Sequence, residues 1–161
     1  MIKIDKQFTD KYLKIAASSE RKRTNYNFHK EMSDTLQRML NIMNKNTYVQ
    51  AHKHENPDKR EAFIILTGKV LVVEFDDSGK IADHIFLNRE LENYGCEIAA
   101  GSWHTIICLE NNSVLYEVKD GPYIQETDKQ FASWAPAEGD DAFEEYNKAI
   151  VENLNSKDTK L

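Results

Sequence analysis

The sequence predicts a mainly β domain, a sandwich or barrel of short strands with a helix at each end. That expectation rests on three features. Between residues 47 and 119, runs rich in β-branched and aromatic residues alternate with turn signals. Near the start, Phe8, Tyr12 and Ile15 recur at helical spacing. Near the end, Phe143, Tyr146, Ile150 and Leu154 form a second apolar stripe of the same period. With 161 residues, 40% hydrophobic and 30% charged, the chain has the make-up of one globular domain with a single substantial core.

In chain order, a helix is predicted over residues 6–17, followed by a polar, irregular stretch over 18–35. Segment 36–43 is ambiguous: Leu36, Met39, Leu40 and Met43 fit a helical stripe, but the surroundings are strand-rich. Strands are predicted over Thr47–Lys53, Ala62–Thr67 and Lys69–Phe75. Asp76-Asp77-Ser78-Gly79 is a turn, with Gly79 able to take the left-handed conformation. Further strands are predicted over Ile81–Leu87, Glu97–Ala99, Trp103–Leu109 and Val114–Lys119, with Asn111-Asn112 marking the turn before the last. Asp141 and Glu144 resemble a capping box for the C-terminal helix, and Asn155 to Leu161 read as a frayed polar tail. The expected organisation is one domain: residues 1–35 a helix and arm, 36–138 the β-barrel, and 139–161 a helix and tail.

Several classes are excluded at this level. No apolar run approaches the roughly 18 residues of a membrane span. The opening residues show no apolar core or small-residue cleavage site, and Cys96 and Cys108 are too few for a disulfide framework. A cytoplasmic protein without membrane contact is therefore expected. The net charge is −6, unevenly spread: residues 1–60 hold thirteen Lys/Arg against seven Asp/Glu, and residues 61–161 hold eight against twenty. Either this is a chance bias of solvated surface, or Arg21, Lys22, Arg23 and Arg38 give positive potential to a site for a small anionic ligand. An acidic chain with no recognised nucleic-acid motif is not expected to bind nucleic acid.

The chemistry is concentrated in His52-Lys53-His54, Glu61 and His104. On a strand, positions i and i+2 share a face, so His52 and His54 project into one space. If the next strand pairs back, Glu61 adds a hard oxygen ligand there. Gly101 provides a bend into the strand that starts with Trp103-His104. A lone HxH is more often surface than site; Glu61 and His104 in register turn the balance toward a metal. Four such ligands leave one or two positions for water or substrate, and Fe, Mn, Ni, Co, Cu and Zn all suit them.

This run resembles the two motifs of the cupin superfamily, HxH…E…G and G…PxG..H. His52, His54, Glu61 and Gly68 match the first, with a slightly long gap before the glutamate. The second, from Gly95 to His104, is two residues shorter, with Ala99 in place of proline and Cys108 where asparagine often follows. The wider pattern is similar to the WbuC family of cupin-fold metalloproteins. It runs through Arg21-x-Arg23-x-Asn25, His29, Gln37 to Asn41, Tyr48-Val49, Gly121-Pro122-Tyr123 and Phe131-Ala132-x-Trp134-Ala135-Pro136. The resemblance implies a single cupin-type, jelly-roll-like β-barrel with short terminal helices, and a strand rather than a helix over 37–43. It also implies one divalent transition metal, an association with polysaccharide (O-antigen) gene clusters and, by analogy with cupins that pair through their sheets, a homodimer.

Around that centre, Arg21, Arg23, Asn25 and Arg38 are candidates for gripping a phosphate or carboxylate; the alternative is pairing with surface carboxylates. His29 and Tyr123 are candidates to move a proton, with a structural role as the alternative for His29 and a packing role for Tyr123. Cys108 is expected to pack inward, Trp103 and Trp134 to pack or wall the pocket, and His84 to lie at the surface. The function expected is a metal-dependent isomerase, epimerase or lyase acting on an acidic or activated sugar. The alternatives are an Fe(II)-dependent dioxygenase and a non-catalytic metal- or sugar-binding module. There is no GxSxG elbow, phosphate-binding glycine loop or CxxC pair.

Overall fold

The computed structural model describes residues 1–158. Helix α1 (Lys6–Ser18) opens on Asp5, whose side chain accepts the Phe8 amide at 2.9 Å. Ten strands follow: β1 (Arg23–Asn27), β2 (Leu36–Met43), β3 (His52–Lys53), β4 (Glu61–Thr67), β5 (Val70–Phe75), β6 (Ile81–Leu87), β7 (Gly95–Ile98), β8 (Trp103–Cys108), β9 (Ser113–Asp120) and β10 (Gln130–Phe131). Helix α2 (Phe143–Asp158) comes last. The strands form two five-stranded antiparallel sheets, ordered β1-β2-β9-β4-β7 and β10-β3-β8-β5-β6.

Alternation along the strands sorts side chains into four layers. On β5, Val70 and Val72 face the other sheet, where they meet Met43, Phe63, Ile65 and Leu115, with Ile106 of the neighbouring β8 in the same cluster. Leu71 and Val73 face outward, under Ile150 and Leu154 of α2. On the far side, Leu40, Ile42 and Val114 are covered by α1 through Phe8, Tyr12, Leu13 and Ala16. The order is helix, sheet, sheet, helix, and each sheet is apolar on both faces for part of its width.

That double burial explains the ambiguity of segment 36–43. It is strand β2, with its last five residues all buried, as the family resemblance implied. A strand covered on both faces loses its polar alternation, so its apolar residues can mimic a helical stripe. Residues 23–27, expected to be irregular, form edge strand β1, with Tyr26 opposite Leu40 and its ring 4.9 Å from that of Phe8. The expected barrel is an open one: β1 and β7 bound one sheet and β10 and β6 the other, and among the described residues no ladder joins the two. The strand expected over Thr47–Lys53 shrinks to His52–Lys53. Asp140, not Asp141, takes the Ala142 amide at 2.9 Å ahead of α2. That helix continues through Asp158, so the expected tail is helical to that point, and residues 159–161 lie outside the described residues.

Gly68 joins β4 to β5 with φ +80°, and a Cβ there would sit 2.3 Å from Ser113 Oγ and 2.7 Å from Ser113 Cα. Gly68→Ala is therefore expected to destabilise the fold by about 1–3 kcal/mol. Leu115→Ala, which empties a fully buried position between the sheets, is expected to cost about 2–5 kcal/mol. Urea denaturation of the two variants checks both; a loss under about half a kcal/mol for Leu115→Ala would contradict the packing described.

Candidate metal centre

Three strands, β3, β4 and β8, converge between the sheets. His52 on β3 lies directly across from His104 on β8, and His54 follows one residue after β3 ends. Glu61, the first residue of β4, comes in from the opposite sheet, paired with Lys119 of β9 and Ile98 of β7. One ligand atom from each of His52, His54, Glu61 and His104 lies within 4.8 Å of all the others, and all four residues are buried. Gly101, at φ +76°, makes the bend that delivers His104.

The backbone decides which ring nitrogens face the centre. His52 Nδ1 donates to the Gln50 carbonyl at 2.8 Å and His104 Nδ1 to the Ser102 carbonyl at 2.9 Å. His54 Nδ1 donates to the Asp128 carbonyl. A carbonyl only accepts, so each Nδ1 carries the proton and each Nε2 of a neutral ring keeps a lone pair. Those lone pairs point at more lone pairs: His104 Nε2 is 3.1 Å from Glu61 Oε2, and His54 Nε2 is 2.8 Å from Glu61 Oε1. His54 Nε2 is off the line a hydrogen bond needs and, among the described residues, is a buried polar atom without one. A cation among these atoms removes the repulsion, and carbonyl-held imidazoles are the usual outer support of a metal ligand. The donor set fits a divalent transition metal.

Electrostatics prepare the same state. Burial, reinforced by Lys129 and the neighbouring rings, holds His52 well below the ordinary histidine range, in its neutral, ligand-competent form. For Glu61, burial pushes upward, but hydrogen bonds and positive charge from protonated His104 and His54 rings outweigh it and hold the carboxyl well below the usual range; with the rings neutral, a cation in the cluster would take over that role.

A cavity of about 600 Å³ opens above these residues. His52, Glu61 and His104 line it together with Met39, Met43, Phe63 and Ile106, and with Glu117, Lys119 and Lys129. Arg21, Arg23, Asn25, His29 and Tyr123 all border it. Both arginines engage Glu138: Arg21 Nε at 2.5 Å and Arg23 Nη2 at 2.9 Å. Arg23 also donates to Thr47 Oγ1 and the Tyr48 carbonyl. Asn25 contacts Met39 Sδ at 3.5 Å, and His29 Nδ1 lies 3.1 Å from the Arg38 amide. Arg38 itself is a correction. Gln37, Met39 and Asn41 face the cavity, so alternation turns the Arg38 side chain to the other face of β2, and it cannot grip a ligand there. Of the remaining candidates, Cys108 packs between the sheets, Trp103 and Trp134 pack under α2, and burial pushes the Cys96 thiol up to about 11.

Sequence reasoning missed a buried charge network beside the centre. Lys59 Nζ lies 2.6 Å and Lys119 Nζ 2.8 Å from opposite oxygens of Asp128, and Lys119 is also 3.7 Å from Glu61. Glu117 accepts from Asn41; its burial, with Glu61 adding, holds its carboxyl above the usual range. The signal for Glu117 and Lys119 was their period-two relation to Leu115. It could not be used, because Val114, Tyr116 and Val118 make the opposite face equally apolar.

Two facing antiparallel sheets with three histidines and a glutamate between them make the cupin-type fold that the motif resemblance implied. A family model described as a domain of unknown function (DUF6016) matches residues 4–87, more than half of the chain, and the chain belongs to that family. No curated protein sequence matches it. Among solved structures, the fold is similar to the capsular polysaccharide assembling protein CapF of Staphylococcus aureus: 20% identity and TM-score 0.58 over 70% of this chain and 32% of that one. The DMSP lyase DddQ of Ruegeria pomeroyi matches at 18% identity and TM-score 0.51, over 68% and 51%. A protein of Shewanella oneidensis matches at 8% identity and TM-score 0.57, over 76% and 82%. The chain spans about a third of the length of CapF. No helix among the described residues is long and apolar enough to cross a membrane.

Removing the shared partner of two buried ammonium groups is costly, so Asp128→Ala is expected to destabilise by about 3–5 kcal/mol in chemical denaturation; a loss under about 1 kcal/mol would contradict the network. At Glu138, burial pushes the carboxyl up but Arg23 and Arg21 outweigh it, so its folded value lies below the reference value of 4.5. The pairing therefore stabilises the fold above that reference and is lost as pH falls through the lower folded value. Half-exposed, it is worth only about 0.2–1 kcal/mol. Glu138→Gln is expected to lower the melting temperature slightly at pH 7 and to match the parent protein in strong acid. A gap that widens on acidification would reverse the assignment.

Proposed function

We propose that this chain is a metal-dependent cupin enzyme acting on a small anionic metabolite, an acidic or activated sugar of polysaccharide synthesis. The observation that carries the metal is the convergence of imidazole Nε2 lone pairs on Glu61, each histidine fixed from behind by a carbonyl. Held by His52, His54, Glu61 and His104, a divalent ion would supply Lewis-acid polarisation of a ligand oxygen. The chain's own groups would do the rest. Glu117, buried at the cavity wall and inclined to stay protonated, has the character of a proton donor, and His29 and Tyr123 border the same space. Such groups favour an enzyme over a module that only binds. The WbuC-like motif pattern and the fold shared with a capsular polysaccharide assembling protein support the polysaccharide setting.

Elemental analysis of untagged protein tests the reading. About one equivalent of a transition metal is expected in the parent chain, and less than about a tenth in His52→Ala and His104→Ala. Less than a tenth in the parent chain, even after reconstitution, would sink the proposal.

A further inference from the structure

The geometry points to Lys129 as the residue that binds the acidic group of the ligand, an anionic oxygen group of the carboxylate or phosphate type. This deepens, and rests on, the reading of the cavity as a ligand site. The other cations near it are already engaged. Arg21 and Arg23 share Glu138, and Arg23 is further held by Thr47 and the Tyr48 carbonyl. Lys59 and Lys119 share Asp128, with Lys59 also donating to the Pro122 carbonyl at 2.6 Å. Arg38 faces away.

Lys129 differs. It lines the cavity, and among the described residues its ammonium has no hydrogen bond and no carboxylate within ion-pair distance. Lys129 is an exposed residue that lines the cavity, and the protein around its ammonium lowers the pKa by desolvation. Glu61, Glu117 and Asp128 act on it only through space, and Lys119 opposes them. A partly desolvated cation with no bonded counter-ion gains from any anion that reaches it.

Its place in the chain aims that anion at the metal ligands. Asp128, just before it, gives its carbonyl to His54, and Phe131, two residues after, pairs with His52 on β3. An acid held at Lys129 therefore presents its neighbouring oxygens to the histidine cluster, within a cavity whose 600 Å³ falls inside the roughly 300–1,000 Å³ of small-molecule sites. An ammonium is a point charge that accepts either kind of acid, so the probes must separate them.

The test is calorimetric titration of the full chain as purified with glucuronate, glucose 1-phosphate and glucose, with metal content measured on the same samples. At least one acidic probe is expected to bind and glucose not to; whether glucuronate or glucose 1-phosphate binds tighter identifies the acid. Lys129→Gln is expected to weaken the acidic probe by at least about tenfold, as for loss of a charged hydrogen bond. Lys129→Arg, which keeps the charge, and Arg21→Gln should each stay within about threefold. Acid binding unchanged in Lys129→Gln, equal binding of glucose, or no binding of either acid would overturn the assignment. Low metal content with Lys129-dependent acid binding would defeat the metal-enzyme reading and leave this one standing; full metal content with Lys129-independent binding would do the reverse.

Discussion

Two buried lysine ammonium groups converge on one carboxylate, Asp128, and much of the site depends on that contact. Lys59 comes from the loop before β4 and Lys119 from the end of β9, so Asp128 ties the non-regular segment 121–129 to one sheet. The same residue's carbonyl takes the Nδ1 proton of His54, which belongs to the other sheet. Buried charges are tolerated only when paired, so the segment has one arrangement that satisfies both lysines. In that arrangement His54 has its ligand nitrogen facing Glu61. The histidine tautomer and the docking of the segment are thus one event.

The two sheets carry core and site on the same strands. Along β9, Leu115 packs into the apolar core, while Glu117 and Lys119, on the same face, line the cavity. Along β4, Ile65 and Phe63 are core and Glu61 joins the histidine cluster. Each polar side chain is therefore anchored two or four residues from a buried apolar one. Sites built this way are held more tightly than sites on loops, because packing fixes the strand that bears the ligand.

Charge is concentrated at the cavity as well. Arg21 and Arg23 share Glu138, the imidazoles face the Glu61 carboxylate, and Lys129 lines the same cavity. With a divalent ion in the histidine cluster, the inner cavity would be distinctly positive, as suits a small acid. The basic excess of the first sixty residues is a poor guide to this, since the arginines it highlighted either pair with Glu138 or, like Arg38, lie on the wrong face.

The sequence by itself determined the elements whose signals are local. The terminal helices follow from apolar stripes at helical spacing, and most strands from β-branched runs between turns. The cluster of His52, His54, Glu61 and His104 was legible because strand alternation and the spacing to Gly68 and His104 constrain it chain-locally. Tertiary structure alone decided the rest. Residues 36–43 are a strand because α1 and the second sheet bury both faces, which erases the polar period that would have marked it. Residues 23–27 are a strand because β2 offers them an edge, not because of their own propensity. Glu117, Lys119, Asp128 and Lys129 joined the site for a similar reason: which face of a strand points inward, and which distant charge meets it, depends on partners remote in sequence. A charged residue in a sequence looks solvated until the fold supplies its counter-ion, and here the fold supplies one for Lys59 and Lys119 and leaves Lys129 facing the cavity.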